Sequence, residues 1–260
     1  MNPVCRKIRK DILRISKSSG HGHIPTCFSI VEILFALYEM MKHNPSNPAW
    51  EERDLFVLSK GHAALAHYAI LAQFGYFPVE RIFSFGSFMA DFGCHADRFK
   101  VPGVEASTGS LGHGIGLAVG MALAFKLKKT DRRVFVVIGD GESNEGTIWE
   151  AVMVATNIGL DNLIIIYDNN MSHGRGLQIR NPAERFQAFN CEVVEVDGHD
   201  VDVLGPEIAK RGTKVRVVVA NTVKGYGCKT FIHDQYAWHR RSPNDSELEI
   251  LLKELDEETI

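Results

Sequence analysis

The stretch RRVFVVIGDGESNEGTIWEAVMVATNIGLDNLIIIYDNN, at positions 132–170, decides the fold. Two runs of mostly β-branched residues, 134–138 and 163–167, predict strands that end at GDG and at DNN. Between the two runs, apolar residues at helical spacing predict a helix: Ile148, Val152, Ala155 and Ile158. A strand-helix-strand crossover makes the two strands parallel, so their carboxyl ends meet at one edge of the sheet. We therefore predict an α/β fold with a mostly parallel sheet and helices on both faces.

Polar side chains follow both of these predicted strands. Asp140 comes after the first strand and Asn170 after the second. Both offer hard oxygen, the ligand type that suits Mg²⁺ or Ca²⁺. A helix is predicted to begin near Glu145, and the free N–H groups at a helix start favour an anion such as a diphosphate. Ligands bind at this edge of open α/β sheets, so the sequence predicts a seat for a metal-bound diphosphate.

The remaining periodicity predicts one domain over residues 1–260, without an internal repeat or linker. Further helices are predicted over 4–18, 29–41, 203–210 and 247–260, and further strands over 54–58, 191–196 and 214–220.

The composition indicates a globular protein and disfavours several classes of partner. A hydrophobic content of 45% and a charged content of 23% are ordinary for a globular protein. The net charge of −3 argues against nucleic acid or an anionic membrane as the main partner. The five cysteines are odd in number and form no CxxC, which predicts reduced thiols in a cytoplasmic protein. We expect no membrane-spanning segment and no signal peptide.

The GDG at 139–141, followed by NN at 169–170, resembles the thiamine diphosphate signature, and GDGESNEG with IIIYDNN resembles its transketolase branch. The resemblance covers essentially the whole chain and implies a thiamine diphosphate-binding fold of the diphosphate-binding (PP) type. It implies cofactor contacts from Gly139, Asp140, Gly141 and Glu142. The implied metal ligands are Asp140, Asn170 and the carbonyl of Ser172.

Other segments carry the same resemblance. TGSLGHG at 108–114 is similar to the loop that lies against the cofactor, which implies contacts from Ser110, Leu111 and Gly112. Small residues continue at four-residue spacing in Gly116, Gly120 and Ala124, which predicts a tightly packed helix after this loop. SKGHA at 59–63 and WHRRSPND at 238–245 are typical of transketolases. Four imidazoles are implied to face the cofactor or substrate: His23, His62 (also a cofactor contact), His95 and His239. His67 and His199 are predicted to be structural. Arg240 is predicted to be solvated, with contact to an anionic substrate as the alternative.

Full-length transketolases are expected to be more than twice as long as these 260 residues, so the chain is expected to hold only part of such an enzyme. Transketolases pass a two-carbon ketol unit from a ketose to an aldose, using thiamine diphosphate and Mg²⁺. The pyrimidine-binding and C-terminal domains are expected on a partner chain, in an α2β2 heterotetramer. The glutamate that activates the cofactor belongs to that missing part. Glu145 is therefore assigned to a relay at the subunit interface or to the helix start, and the isolated chain is expected to be nearly inactive.

Three alternatives stay open at this point. The chain could be a specialised ketol transferase or lyase of a biosynthetic or unusual-sugar pathway. It could be the α subunit of a 2-oxoacid dehydrogenase, which shares GDG and NN but not the SKGHA, TGSLGHG and WHRRSPND segments. It could also be a degenerate, non-catalytic interaction module. The presence of both Asp140 and Asn170 argues against that alternative. The sequence does not name the sugars.

Overall fold

A computed structural model describes residues 1–174 and 176–257, which form a single parallel sheet flanked by helices. The strands are β1 (Leu55–Leu58), β2 (Val134–Gly139), β3 (Leu163–Asn169), β4 (Glu192–Asp197) and β5 (Arg216–Asn221). The α-helices are α1 (Pro3–Ser19), α2 (Ile24–Ser29), α3 (Val31–Met40), α4 (Ala64–Gln73), α5 (Gly114–Leu127), α6 (Gly146–Asn157), α7 (Pro182–Ala188), α8 (Val201–Ala209), α9 (Lys229–His233) and α10 (Asp245–Glu257).

The sheet has the order β1-β2-β3-β5-β4, with every neighbouring pair parallel. Val134 pairs with Leu163 and Gly139 with Asp168, so the two strands of the deciding stretch are direct neighbours. Their carboxyl ends therefore lie side by side, as predicted.

Side chains of the strands alternate between two apolar cores. Ile164 and Ile166 of β3 pack on the side covered by α1, α2, α3, α4, α8 and α10. Ile165 and Tyr167 pack on the side covered by α5, α6 and α7. Burial on both faces explains the nearly continuous apolar runs of β2 and β3, and it confirms helices on both faces of the sheet.

A short helix that was not predicted precedes the helix predicted over 29–41. Ile24 and Pro25 are already helical, and α2 and α3 are separated at Ile30. Proline fits the first turn of a helix because that N–H needs no intrahelical partner. His23, the residue before α2, has a φ of 64°, in the left-handed region.

Three other helical expectations need correction or closer definition. Ile158 is 37% exposed because α6 ends at Asn157, so it does not extend the buried stripe. Gly116 and Gly120 of α5 face open space within this chain rather than a packed neighbour. The tail helix begins at Asp245 and buries Leu251 and Leu255; the last three predicted residues, 258–260, lie outside the described residues.

No helix within 1–174 and 176–257 is both long and apolar enough to cross a membrane.

Candidate active site

Loops that follow β1, β2, β3 and β5 meet at the carboxyl edge of the sheet around a cavity of about 490 Å³. The loop that precedes α2 and the segment around residue 239 close it from the side. Its lining residues are His23, Thr26, Lys60, His62, His95, Leu111, Gly139, Asp140, Gly141, Glu142, Asn170, Ser172, His173, Lys224, His239 and Arg240.

One end of this cavity, the oxygen-donor end, is formed by Asp140, Asn170 and Ser172. Asp140 and Asn170 are 6% and 4% exposed. The Ser172 hydroxyl donates to Asp140 Oδ1 over 2.5 Å, and the Ser172 N–H donates to Asn170 Oδ1 over 3.0 Å. The three residues predicted to hold the metal therefore lie together.

Buried groups fix the orientation of the Asn170 amide. Its Nδ2 donates to Asp168 Oδ2 over 2.7 Å and to Ser29 Oγ over 3.1 Å. Asp168 also accepts from Lys60 Nζ and from the Thr222 hydroxyl, each over 2.5 Å. Both amide hydrogens are used and one lone pair of Oδ1 accepts from the Ser172 N–H, so Asn170 has the second lone pair of Oδ1 left to act as a ligand. A carboxylate oxygen, an amide oxygen and a backbone carbonyl form a donor set that fits Mg²⁺ or Ca²⁺.

Glu142 ties three segments of the cavity wall together. It is 2% exposed and accepts from the Ser59 hydroxyl over 2.6 Å, the Gly112 N–H over 2.9 Å and the Gly139 N–H over 3.1 Å. Burial raises the pKa of Glu142, while these three donors oppose that effect. Gly112 has a φ of 80°, which suits glycine, and a Cβ there would lie 2.2 Å from Thr147 Oγ1. The backbone of the TGSLGHG segment is therefore held where a ligand can approach.

The opposite end, the imidazole end, brings together the four predicted histidines. The His23 ring centroid lies 5.5 Å from that of His62 and 5.4 Å from that of His239. His95 is exposed and lines the same cavity from the loop before α5. His62 Nε2 and Thr26 Oγ1 are 3.4 Å apart.

Three of these imidazoles, His23, His62 and His239, are held in the neutral form. Burial lowers the pKa of His23 to about 4, and the nearby His239 and Arg240 act in the same direction. Burial, with the Lys60 ammonium, lowers the pKa of His62 to about 2. The pKa of His239 is also lowered by burial and by Lys224. Neutral imidazole is the form that accepts a proton or shares one with a hydroxyl.

Three of the predicted residues, Glu145, Ser110 and the buried Gly112, are not among the residues that line the cavity. Glu145 is exposed and immediately precedes α6, so it stands at the helix start and not beside the imidazoles. Ser110 is exposed next to the lining residue Leu111. Their assigned roles stay predictions.

Sequence reasoning did not select several residues of the wall. Lys60, Lys224 and His173 line the cavity. Arg240 also lines it and is exposed, which fits both the solvated position and the contact with an anionic substrate that the sequence left open. Lys224 follows the carboxyl end of β5, so the strand-end argument that found Asp140 also applies to it. Lys60 was not selected because its ion pair is a tertiary contact with Asp168, which is 108 positions away in sequence.

Both histidines that were predicted to be structural are bonded within the protein. His67 is buried and its Nε2 is hydrogen-bonded to the Tyr38 hydroxyl, 2.8 Å away. His199 Nδ1 lies 3.0 Å from Glu32 Oε2, and its Nε2 accepts from the Val223 N–H over 2.8 Å.

Comparison with known proteins agrees with this geometry. Residues 3–250 match the family "Transketolase, thiamine diphosphate binding domain". The chain is 38% identical over 260 residues to an apulose-4-phosphate transketolase subunit from Actinobacillus succinogenes, covering 96% of this chain and 93% of that protein. It is 40% identical over 260 residues to the 6-deoxy-6-sulfo-D-fructose transketolase subunit SqwG from Clostridium sp. strain MSTE9, covering 96% of this chain and 94% of that protein.

Full-length transketolases match over part of their length. The solved structure of transketolase from Campylobacter jejuni superposes with a TM-score of 0.87 at 29% identity, covering 97% of this chain and 42% of that one. Mouse transketolase is 32% identical over 262 residues, covering 98% of this chain and 42% of that protein. The chain thus spans about two fifths of a full-length enzyme but nearly all of the two bacterial subunits. From its sequence, its fold and its cavity, this chain belongs to the transketolase family, as a thiamine diphosphate-binding N-terminal subunit of a split enzyme.

Proposed function

We propose that this chain binds thiamine diphosphate with Mg²⁺ and, with a C-terminal partner subunit in an α2β2 heterotetramer, transfers a two-carbon ketol unit between sugars. The observation that carries the proposal is the pairing, in one cavity, of an oxygen-donor end with a group of neutral imidazoles. The first suits a metal-bound diphosphate and the second suits a hydroxyl-rich substrate.

The residues present fit the metal and the diphosphate. Asp140, the Asn170 amide oxygen and the Ser172 carbonyl would hold Mg²⁺, or Ca²⁺ in its place. Asp168 keeps Asn170 oriented, and Glu142 keeps the backbone around Gly112 in place. Bound thiamine diphosphate supplies the chemistry that cleaves the bond next to a ketose carbonyl.

The histidines of the imidazole end would exchange protons with the sugar and hydrogen-bond to its oxygen atoms. A neutral His23, His62 or His239 can take the proton of a donor hydroxyl, and its N–H can stabilise negative charge that develops on a substrate oxygen. His95, on the exposed side, would contact the sugar as it enters.

An exposed apolar face supports the partner subunit. α5 is apolar around its whole circumference, yet Leu117 is 46% and Leu127 73% exposed. On α6, which packs beside α5, Met153 is 53% exposed. A helix that is apolar all round is normally buried, so this face suits a protein neighbour. The five cysteines are free, which supports a cytoplasmic location.

The sugar is proposed to carry an anionic group. Arg240 lines the cavity, and no carboxylate within 1–174 and 176–257 forms an ion pair with it. The two bacterial subunits are named for a phosphorylated and a sulfonated sugar. A specialised ketol transferase of an unusual-sugar pathway is therefore the favoured form of this function.

Titration calorimetry on the complex with its partner tests the cofactor site. Asp140→Ala should abolish Mg²⁺-dependent binding of thiamine diphosphate, with a loss of roughly 100-fold or more in affinity, because even residues that only support a metal ligand cost 10–100-fold. Asp131→Ala, at the opposite edge of the sheet, is the matched control and should bind like the parent chain. Unchanged affinity in Asp140→Ala would remove the metal assignment.

A further inference from the structure

Lys224 is a buried lysine outside ion-pair distance of any described carboxylate, although Asp140 and Asp168 are close enough to act on its charge. It is 5% exposed, and no carboxylate oxygen of residues 1–174 or 176–257 forms an ion pair with its Nζ. Lys60, equally buried in the same cavity, is by contrast neutralised by Asp168 at 2.5 Å. Buried cations are normally paired, so an unpaired one in a cavity wall needs a reason.

The hydrogen bond that Lys224 makes points to that reason. Its Nζ lies 3.3 Å from His239 Nδ1. Burial lowers the pKa of Lys224 to about 8, so at neutral pH it is mainly an ammonium group. An ammonium group donates and does not accept, so Nδ1 is then the accepting nitrogen of the ring. The single ring proton of neutral His239 then sits on Nε2. Nε2 has no hydrogen-bond partner among residues 1–174 and 176–257, although the ring lines the cavity.

The charged surroundings keep His239 neutral. Burial lowers its pKa most, followed by Lys224, Arg240 and His173. The other neighbour is the neutral His23, whose ring centroid lies 5.4 Å away. The groups that face His239 are thus cations or imidazoles, and none of them is a carboxylate that would favour a protonated ring.

The backbone that carries Lys224 is anchored independently of the cavity. The Val223 N–H donates to His199 Nε2 over 2.8 Å, and the Gly225 N–H donates to the Pro25 carbonyl over 3.0 Å. His199 is in turn bonded to the buried Glu32. Lys224 is therefore presented to His239 from a fixed loop.

We propose that Lys224 is a positioning residue that fixes His239 as the neutral, Nε2-protonated imidazole, so that His239 acts in the site as a hydrogen-bond donor to a substrate oxygen. The substrate class, a sugar hydroxyl or carbonyl, rests on the proposed function. The proton position itself does not, because it follows from a contact within this chain.

Nitrogen NMR of the full chain, labelled with ¹⁵N in its histidine rings, tests this inference without cofactor, sugar or partner. His239→Gln identifies the His239 signals. In the parent chain at neutral pH, His239 should show a protonated Nε2 and a bare Nδ1. In Lys224→Met the second tautomer should appear, and the midpoint for protonation should rise by roughly half to one pH unit because a nearby cation is gone.

Lys224→Arg is the matched control, because it keeps a donor-only cation and should retain the parent pattern. Thermal melting of each variant establishes that the fold persists. The same tautomer and midpoint in Lys224→Met as in the parent chain would overturn the proposal. If that variant instead bound Mg²⁺ and thiamine diphosphate more weakly with its His239 signals unchanged, Lys224 would be an anion ligand and not a positioning residue. The NMR result does not depend on whether the assembled enzyme transfers a ketol unit, so the two proposals can fail separately.

Discussion

The oxygen-donor end of the cavity is held by hydrogen bonds from buried groups, whereas the imidazole end is held mainly by packing. Asn170 uses both amide hydrogens on Asp168 and Ser29. His23 and His62 contact one another through their rings, and the one ring hydrogen bond of His62 among residues 1–174 and 176–257 is a long one, 3.4 Å to Thr26. The first end is preorganised for a ligand of fixed geometry. The second leaves donors and acceptors free for substrates that arrive and leave.

The largest effect should come from breaking the support of the oxygen-donor end. Asp168→Ala leaves Lys60 buried without its counter-charge and frees the Asn170 amide. Removing one partner of a buried pair costs about 3–5 kcal/mol, so we expect a free energy of unfolding lower by that amount in urea denaturation. Asp256→Ala, which breaks the exposed pair with Lys10, should leave stability unchanged. A fully stable Asp168→Ala would mean that the network does not support the site.

A substitution at the imidazole end should spare the cofactor and slow the reaction. In the complex with the partner subunit, His23→Ala is expected to lower kcat by about 100-fold, within the range for loss of a general acid or base. Its affinity for thiamine diphosphate should change less than about threefold. The control is His21→Ala, whose Nε2 faces the Gly86 carbonyl outside the cavity lining. Equal fold losses of thiamine diphosphate affinity and of kcat in His23→Ala would contradict separate roles for the two ends of the cavity.

The smallest effect concerns an imidazole that the cavity does not use. Burial lowers the pKa of His67 to about 3, against an ordinary value of 6.5. Between pH 6.5 and about 3 the unfolded chain binds a proton that the folded chain does not, so stability is complete above pH 6.5 and falls as the pH falls. The slope from this group is about 1.4 kcal/mol per pH unit.

His67→Phe should reduce that slope in urea denaturation series from pH 7 to 5. Tyr38→Phe removes the same hydrogen bond but keeps the imidazole, so it should lower stability at pH 7 and retain the slope. An unchanged slope in His67→Phe would assign the acid sensitivity to other groups, His62 at the imidazole end foremost.

The fold and the oxygen-donor end could be predicted from sequence because they depend on local patterns. Strand runs and the turns after them place Asp140 and Asn170 at one edge whatever the rest of the chain does. The four histidines were selected by resemblance to a family, since a single imidazole in a loop carries no directional signal.

The supporting groups could not be predicted because they depend on tertiary contacts. Asp168 meets Lys60 across 108 positions, and Glu142 meets Ser59 across 83. The start of α2 was missed because His23 enters the helix in a left-handed conformation that no periodicity reports. The exposure of Gly116 was missed because an apolar helix in sequence does not say which molecule buries it.

The exposed apolar surface of α5 and α6 has a consequence for how such a protein can be made in a cell. A chain produced in excess of its partner would carry Leu117, Leu127 and Met153 into water, where such surface promotes self-association and recognition by chaperones and proteases. Supply of the two polypeptides would have to be matched in amount and in time. Synthesis of both from one messenger RNA is the arrangement that this surface favours.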